Sequence, residues 1–117
     1  PLVLSADSGV SPFCYYGQSS RLAGADAAIF TSFGGRFPFT EEVCRKICDG
    51  TETEMGGLRS IFPVPSGGMK WQLFKKMVQV YGPDAIFLVG GALLTESDDL
   101  TANMHFYFEK LNEAVNK

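Results

Sequence analysis

Three glycine pairs, Gly34-Gly35, Gly67-Gly68 and Gly90-Gly91, punctuate this chain, and each follows a short apolar run within a few residues. A strand that ends in two glycines ends in a flexible elbow. With no Cβ atoms in the way, consecutive backbone N–H groups can approach a ligand and adopt conformations closed to other residues. Three such endings predict three anion-accessible loops at one end of a single parallel sheet. Taken singly, each pair serves equally well as a plain turn from strand to helix. The two pairs Gly67-Gly68 and Gly90-Gly91, at matching positions in successive units, favour a phosphate-binding reading.

The segments between the elbows repeat a short apolar run followed by an amphipathic stretch. Leu2–Leu4, Ala27–Phe30, Ile61–Val64 and Ile86–Val89 are the expected strands, with Pro63 removing one ladder donor from the third. Ser11-Pro12 opens a first helix that Gly24 ends, and Thr40 with Glu41 and Glu42 opens a second that Gly50 stops. Met69, Leu73, Met77 and Tyr81 give a third helix one buried face up to Gly82-Pro83. Ser97, Asp98 and Asp99 cap a fourth, whose Leu100, Met104, Phe108, Leu111 and Val115 form a continuous stripe. Strands apolar on both faces that alternate with helices predict an α/β fold of four consecutive βα units around a parallel sheet. A self-sufficient doubly wound sheet and half of a (βα)8 barrel both fit that pattern. A receiver-like doubly wound domain would place metal-binding carboxylates after its first and third strands. Asp7 offers one, but the third strand ends Val64-Pro65-Ser66 without another.

At 117 residues the chain forms one domain, residues 1–117. Its net charge of −3 and pI near 5.0 provide no basic face for nucleic acid or an anionic membrane, so any phosphate recognition must be local. No apolar run approaches the roughly 20 residues of a membrane span, and no charged-then-apolar leader is visible, so the cytoplasm is the expected location. Cys44 and Cys48, four apart beside Val43 and Ile47, share an apolar helical stripe and read as packing residues rather than metal or redox groups. His105 falls on the last helix, and no basic residues interleave with the aromatics there to build a base-stacking surface.

Four segments carry a more specific signal: Arg21-Leu22-Ala23-Gly24-Ala25-Asp26, Ser32-Phe33-Gly34-Gly35-Arg36-Phe37, Phe62-Pro63-Val64-Pro65-Ser66-Gly67-Gly68-Met69, and Tyr81-Gly82-Pro83-Asp84 through Val89-Gly90-Gly91. In order and spacing the chain resembles the RuBisCO large-chain superfamily, from the fifth strand to the eighth helix of its C-terminal barrel. Phe33-Gly34-Gly35-Arg36-Phe37 is closer to RuBisCO-like proteins than to true carboxylases. The resemblance implies the C-terminal half of a TIM-type barrel, with substrate phosphate held by Ser66, Gly67 and Gly68 and by Gly90 and Gly91. It implies a loop after the sixth strand in which Gly35 and Arg36 stand at or beside the family's lysine, so that Arg36 is either a ligand contact or an exposed side chain. An arginine keeps the charge but cannot cycle a proton, which argues against gas-addition chemistry.

Where the family's fifth strand offers a histidine, this chain reads Leu4-Ser5-Ala6-Asp7, and Ala27–Phe30 also lacks one. Ser5 and Asp7 are polar contacts in one reading; in the other Asp7 caps a turn before Gly9. The family's Mg2+ site, a carbamylated lysine with two carboxylates near the second strand, has no counterpart in these residues. The resemblance therefore implies no metal and no catalytic residue in this chain, and Mg2+ in the full-length enzyme. The expected function is the phosphate-binding part of an enzyme that enolises, isomerises or decarboxylates a sugar phosphate or keto-acid phosphate, inactive alone. The alternatives are a non-catalytic phosphate-binding half-barrel that pairs with another chain, a missing N-terminal half or a second copy, and a purely structural domain.

Overall fold

The computed structural model describes residues 9–116. Ser11 begins the first helical segment as expected, its hydroxyl accepting from the Cys14 N–H at 3.2 Å. The segment runs through π-helical turns, Phe13–Gln18, into α1, Ser19–Leu22. Gly24, at φ +80°, turns the chain out of it. Strand β1, Ala27–Thr31, leads to α2, Glu41–Glu52, whose N-cap Thr40 accepts from the Val43 N–H. Strand β2, Phe62–Ser66, is followed by a 3₁₀ turn, Trp71–Leu73, and α3, Phe74–Tyr81, closed by Gly82 at φ +77°. A short α4, Gly91–Leu94, precedes α5, Leu100–Val115, capped by Asp99 through the Ala102 N–H.

The sheet is parallel, with Ala27 opposite Phe62 and Thr31 opposite Ser66. Among the described residues it has two strands rather than four. The expected strand Leu2–Leu4 lies outside the described residues. Ile86–Val89 runs alongside β2 but makes only one bridge, Leu88 to Ser66. The cause is the sequence of β2. The carbonyls of Pro63 and Pro65 accept from the Ile86 and Leu88 N–H groups at 3.0 and 3.1 Å, but neither proline has an N–H to return.

Three further expectations are corrected. Gly50 does not stop α2, which continues to Glu52. It is buried at a backbone crossing, where a Cβ on Gly50 would sit 2.3 Å from the Phe13 carbonyl oxygen and one on Gly17 2.4 Å from the Gly50 carbonyl carbon. Met69 precedes α3 rather than belonging to it, because Gly67 and Gly68 take positive φ and Lys70 is extended. It is still buried, as are Met77 and Tyr81. On α5, the face packed into the fold carries Asn103 and Tyr107, whereas Leu100, Met104, Phe108 and Val115 point outward, Phe108 at 56% exposure.

The core lies between the sheet's helix-covered face and helices α2, α3 and α5. A line of aromatic contacts crosses it: Phe30 to Tyr81 at 5.9 Å, Tyr81 to Phe87 at 6.2 Å, Phe87 to Phe74 and Phe74 to Tyr107, both at 5.7 Å. Pairs of this kind contribute about 0.5–1.5 kcal/mol beyond their burial. The Ser32 and Tyr81 hydroxyls share a buried hydrogen bond of 2.8 Å that ties the end of β1 to α3. Arg21 is only 4% exposed and has no carboxylate among its hydrogen-bond partners. Its guanidinium donates to the carbonyls of Gly50 and Thr53 at the negative end of α2, and to those of Leu58 and Arg59. The sheet's other face is open. Ile29, Phe62, Ile86 and Leu88 project from it, Ile29 at 60% exposure. Among the described residues no helix is long and apolar enough to cross a membrane.

Candidate functional site

The C-terminal ends of β2 and of the segment parallel to it enclose a cavity of about 540 Å³. Ser66, Gly67 and Gly68 line one side, Gly90 and Gly91 the other. Two runs of residues more than twenty positions apart in the chain thus share one hollow. Strand β2 and the segment bridged to it lie side by side and run the same way.

The backbone there is rich in free donors. Among the described residues, the N–H groups of Gly68, Gly90 and Gly91 meet no protein acceptor, while the carbonyls of Gly90 and Gly91 accept from Leu93 and Thr95. The Ser66 hydroxyl donates to the Phe30 carbonyl at 3.0 Å, which leaves its oxygen as an acceptor. Thr95, on the rim, donates its hydroxyl to Gly91 at 2.9 Å. Lys70 and Thr95 also line the cavity and were not singled out from the sequence. The sequence signal for Lys70 is its position two residues after Gly68.

The two glycine pairs have different reasons to be glycine. Gly67 and Gly68 have φ of +76° and +65°. A Cβ on Gly68 would lie 2.5 Å from the Gly35 Cα, so the loops after β1 and β2 touch backbone to backbone. At Gly90 and Gly91 a Cβ would meet nothing within 4 Å, and neither φ is positive. Asn103 fixes this second loop from α5: its amide donates to the carbonyls of Leu93 and Ser97, both at 2.9 Å, and its oxygen accepts from the Ser97 hydroxyl.

The other expected contacts lie elsewhere. Gly35 reaches the site only by packing on Gly67 and Gly68. Arg36 is exposed, does not line the cavity, and stands 6.0 Å from the ring of Phe37. Ser5 and Asp7 lie outside the described residues. No carboxylate lines the cavity, and among the described residues no three His, Cys, Asp or Glu side chains converge to hold a metal. The described residues that line the cavity do not fit a Mg2+ site. A second hollow, of about 460 Å³ at the opposite end of the strands, is lined by Asp49, Glu52 and Asp84 with Arg45, a carboxylate-rich setting unsuited to phosphate.

Cys44 and Cys48 are buried and unpaired in the core. Burial raises the Cys44 thiol and pushes that of Cys48 up to about 12, so both stay protonated near neutrality and act as packing groups.

No family model matches the chain. It is 41% identical over 98 residues to the 5-methylthioribulose-1-phosphate isomerase of Rhodospirillum rubrum, covering 84% of this chain and 26% of that protein. It is 38% identical to the ribulose bisphosphate carboxylase-like protein 1 of Rhodopseudomonas palustris, covering 84% and 27%. Among solved structures, the rubisco-like protein (MtnW) of Alicyclobacillus acidocaldarius superposes with a TM-score of 0.83 at 26% identity, over 94% of this chain and 28% of that one. The chain spans about a quarter of the length of the curated relatives it matches. By sequence and by fold it belongs to the RuBisCO superfamily, as a stretch that fits the C-terminal part of RuBisCO-like TIM-barrel proteins.

Proposed function

We propose that this chain is the phosphate-binding side of a RuBisCO-like (βα)8 barrel that acts on a sugar phosphate or keto-acid phosphate by enolisation, isomerisation or decarboxylation. The observation that carries the reading is the cavity of about 540 Å³ at the strand ends, where the N–H groups of Gly68, Gly90 and Gly91 meet no acceptor among the described residues. Barrels of this type hold phosphate in the loops after their seventh and eighth strands, because amides converge there without side chains in the way. The name of the Rhodospirillum rubrum relative, which ends in a 1-phosphate isomerase, supports the same substrate class.

In this reading the chain binds and orients, and the proton-transfer groups and any Mg2+ come from the rest of the barrel. Fixing a phosphate holds the reacting carbons in register with groups on the other strands, which is the positioning part of catalysis. The exposed sheet face supports a partner. Ile29, Phe62, Ile86 and Leu88 on that face adjoin an apolar groove of about 360 Å³ formed by Phe74, Phe87, Leu93, Met104 and Phe108. Apolar surface of this extent is stable when covered, either by the remaining strands of the barrel or by a second copy of the chain. The second occupant gives the runner-up reading, a phosphate-binding half-barrel without chemistry.

The test is an amide NMR titration with inorganic phosphate. Saturating shifts confined to Gly67, Gly68, Gly90, Gly91 and their neighbours are expected. Shifts spread evenly over the surface, or none at about 20 mM phosphate, a millimolar-affinity limit, would overturn the reading. Turnover of a sugar phosphate by the chain alone would overturn the division of labour.

A further inference from the structure

We propose that Lys70 supplies the positive charge of this hollow and is the side chain that recognises the dianionic phosphate, an inference that rests on the phosphate reading above. Backbone amides carry only partial charges, and the chain as a whole is acidic at −3, so a phosphate with close to two negative charges needs a local cation. Among the described residues, Lys70 is the one charged residue lining the cavity. Arg36, the cation expected at this end of the sheet, lies against Phe37 instead.

The backbone around Lys70 is fixed while its side chain is free. Its N–H donates to the Gly68 carbonyl at 2.8 Å, and its own carbonyl accepts from Leu73 at 3.0 Å. These bonds hold the Lys70 Cα at the rim, directly after the glycine loop. The side chain is exposed, and among the described residues it takes part in none of the ion pairs, which involve Lys46, Lys76, Lys110 and Arg45. The other polar side chains of the wall have their hydroxyl protons engaged, Ser66 on Phe30 and Thr95 on Gly91. An ammonium on a flexible stem acts as a mobile point charge and can follow the ligand into the hollow.

The experiment is calorimetric titration of inorganic phosphate into the whole polypeptide to which these residues belong, comparing wild type with Lys70→Gln and Lys70→Arg. At about pH 8.5, where phosphate is dianionic, Lys70→Gln is expected to bind about tenfold more weakly and Lys70→Arg within about twofold of wild type. Near pH 5.5, where the ligand is a monoanion, the Gln deficit is expected to shrink to about threefold. The side chain is exposed, so the amide spectrum of Lys70→Gln is expected to match wild type away from the loop. If wild type binds and Lys70→Gln binds equally well at both pH values, the assignment of Lys70 is overturned and the hollow still stands. If wild type does not bind at either pH, the phosphate reading falls and takes the assignment with it.

Discussion

Gly67-Gly68 and Gly90-Gly91 look alike in the sequence and face each other across one cavity, yet physically they are opposites. The first pair is held by the fold: both residues have positive φ, and Gly68 lies so close to Gly35 that a Cβ would stand 2.5 Å from its Cα. The second pair has open space where its side chains would be and no positive φ, although Gly90, at φ −128° and ψ −98°, lies outside the helical and extended regions. A glycine required by packing would be kept whether or not anything binds. A glycine at the first turn of a helix with no neighbour in the way of a Cβ, as at Gly91, needs another reason, and a ligand is the one consistent with the wall it forms. Both pairs line the proposed site, but of the four glycines only Gly91 argues for it.

The sharpest way to break that comparison is to add one methyl group to each pair. Gly68→Ala combines a left-handed dihedral with a backbone clash and is expected to lose about 2–4 kcal/mol of stability, read as a fall in the urea midpoint. An unchanged midpoint would show that the loops after β1 and β2 do not press together. Asn103→Ala comes next, at about 1–2 kcal/mol, because it removes the bonds to Leu93, Ser97 and the Ser97 hydroxyl. It should also broaden the amide signals of Gly90 and Gly91 while leaving those of Gly67 and Gly68 sharp. Broadening of both pairs would mean that the two loops are one unit.

A pH series probes the packed side alone. Burial raises the Cys48 thiol from 9.0 to about 12 and holds the Tyr81 hydroxyl far above its ordinary range. For groups raised on folding, the stabilisation is complete below the unfolded-state pKa and declines as pH rises through the window to the folded value. The thermal midpoint is therefore expected to be flat from about pH 6 to 8.5 and to fall above pH 9, and Cys48→Ala should shallow that decline. An equally steep decline in the variant would remove Cys48 from the account. The smallest stability effect belongs to Gly91→Ala, within about 1 kcal/mol in either direction, since the methyl meets nothing and alanine favours a helix start over glycine. Its phosphate affinity should nevertheless fall about tenfold, because Gly91 lines the cavity and an added methyl there takes up space that no protein atom fills. Equal affinity would return Gly91 to the role of a plain turn.

Much of the helical framework was legible locally. Thr40 and Asp99 cap their helices through their own side chains, and Gly24 and Gly82 end theirs with positive φ, because capping and chain reversal depend on a few adjacent residues. Gly50 was misread as a stop, since the identical residue serves both a helix end and a close crossing, and the partners that distinguish them, Phe13 and Gly17, are more than thirty positions away. The α5 stripe failed for a related reason. Periodicity identifies an apolar face but not what covers it, and Leu100, Met104 and Phe108 face outward while Asn103 and Tyr107 face in. The site's glycines were legible as strand endings, whereas Lys70 was not, because a single lysine after a loop carries no pattern.

The sequence alone determined the order of the elements, the capping residues, the burial of Cys44 and Cys48, and the superfamily, since each rests on local chemistry or on motifs in register along the chain. Only the tertiary structure decided that the third apolar run pairs weakly, that Gly68 is there for Gly35, that Arg36 stands away from the cavity, and that Lys70 stands at its wall. Those facts depend on distances between segments far apart in the chain, and such distances follow from how the whole sheet and its helices pack rather than from any one stretch of residues.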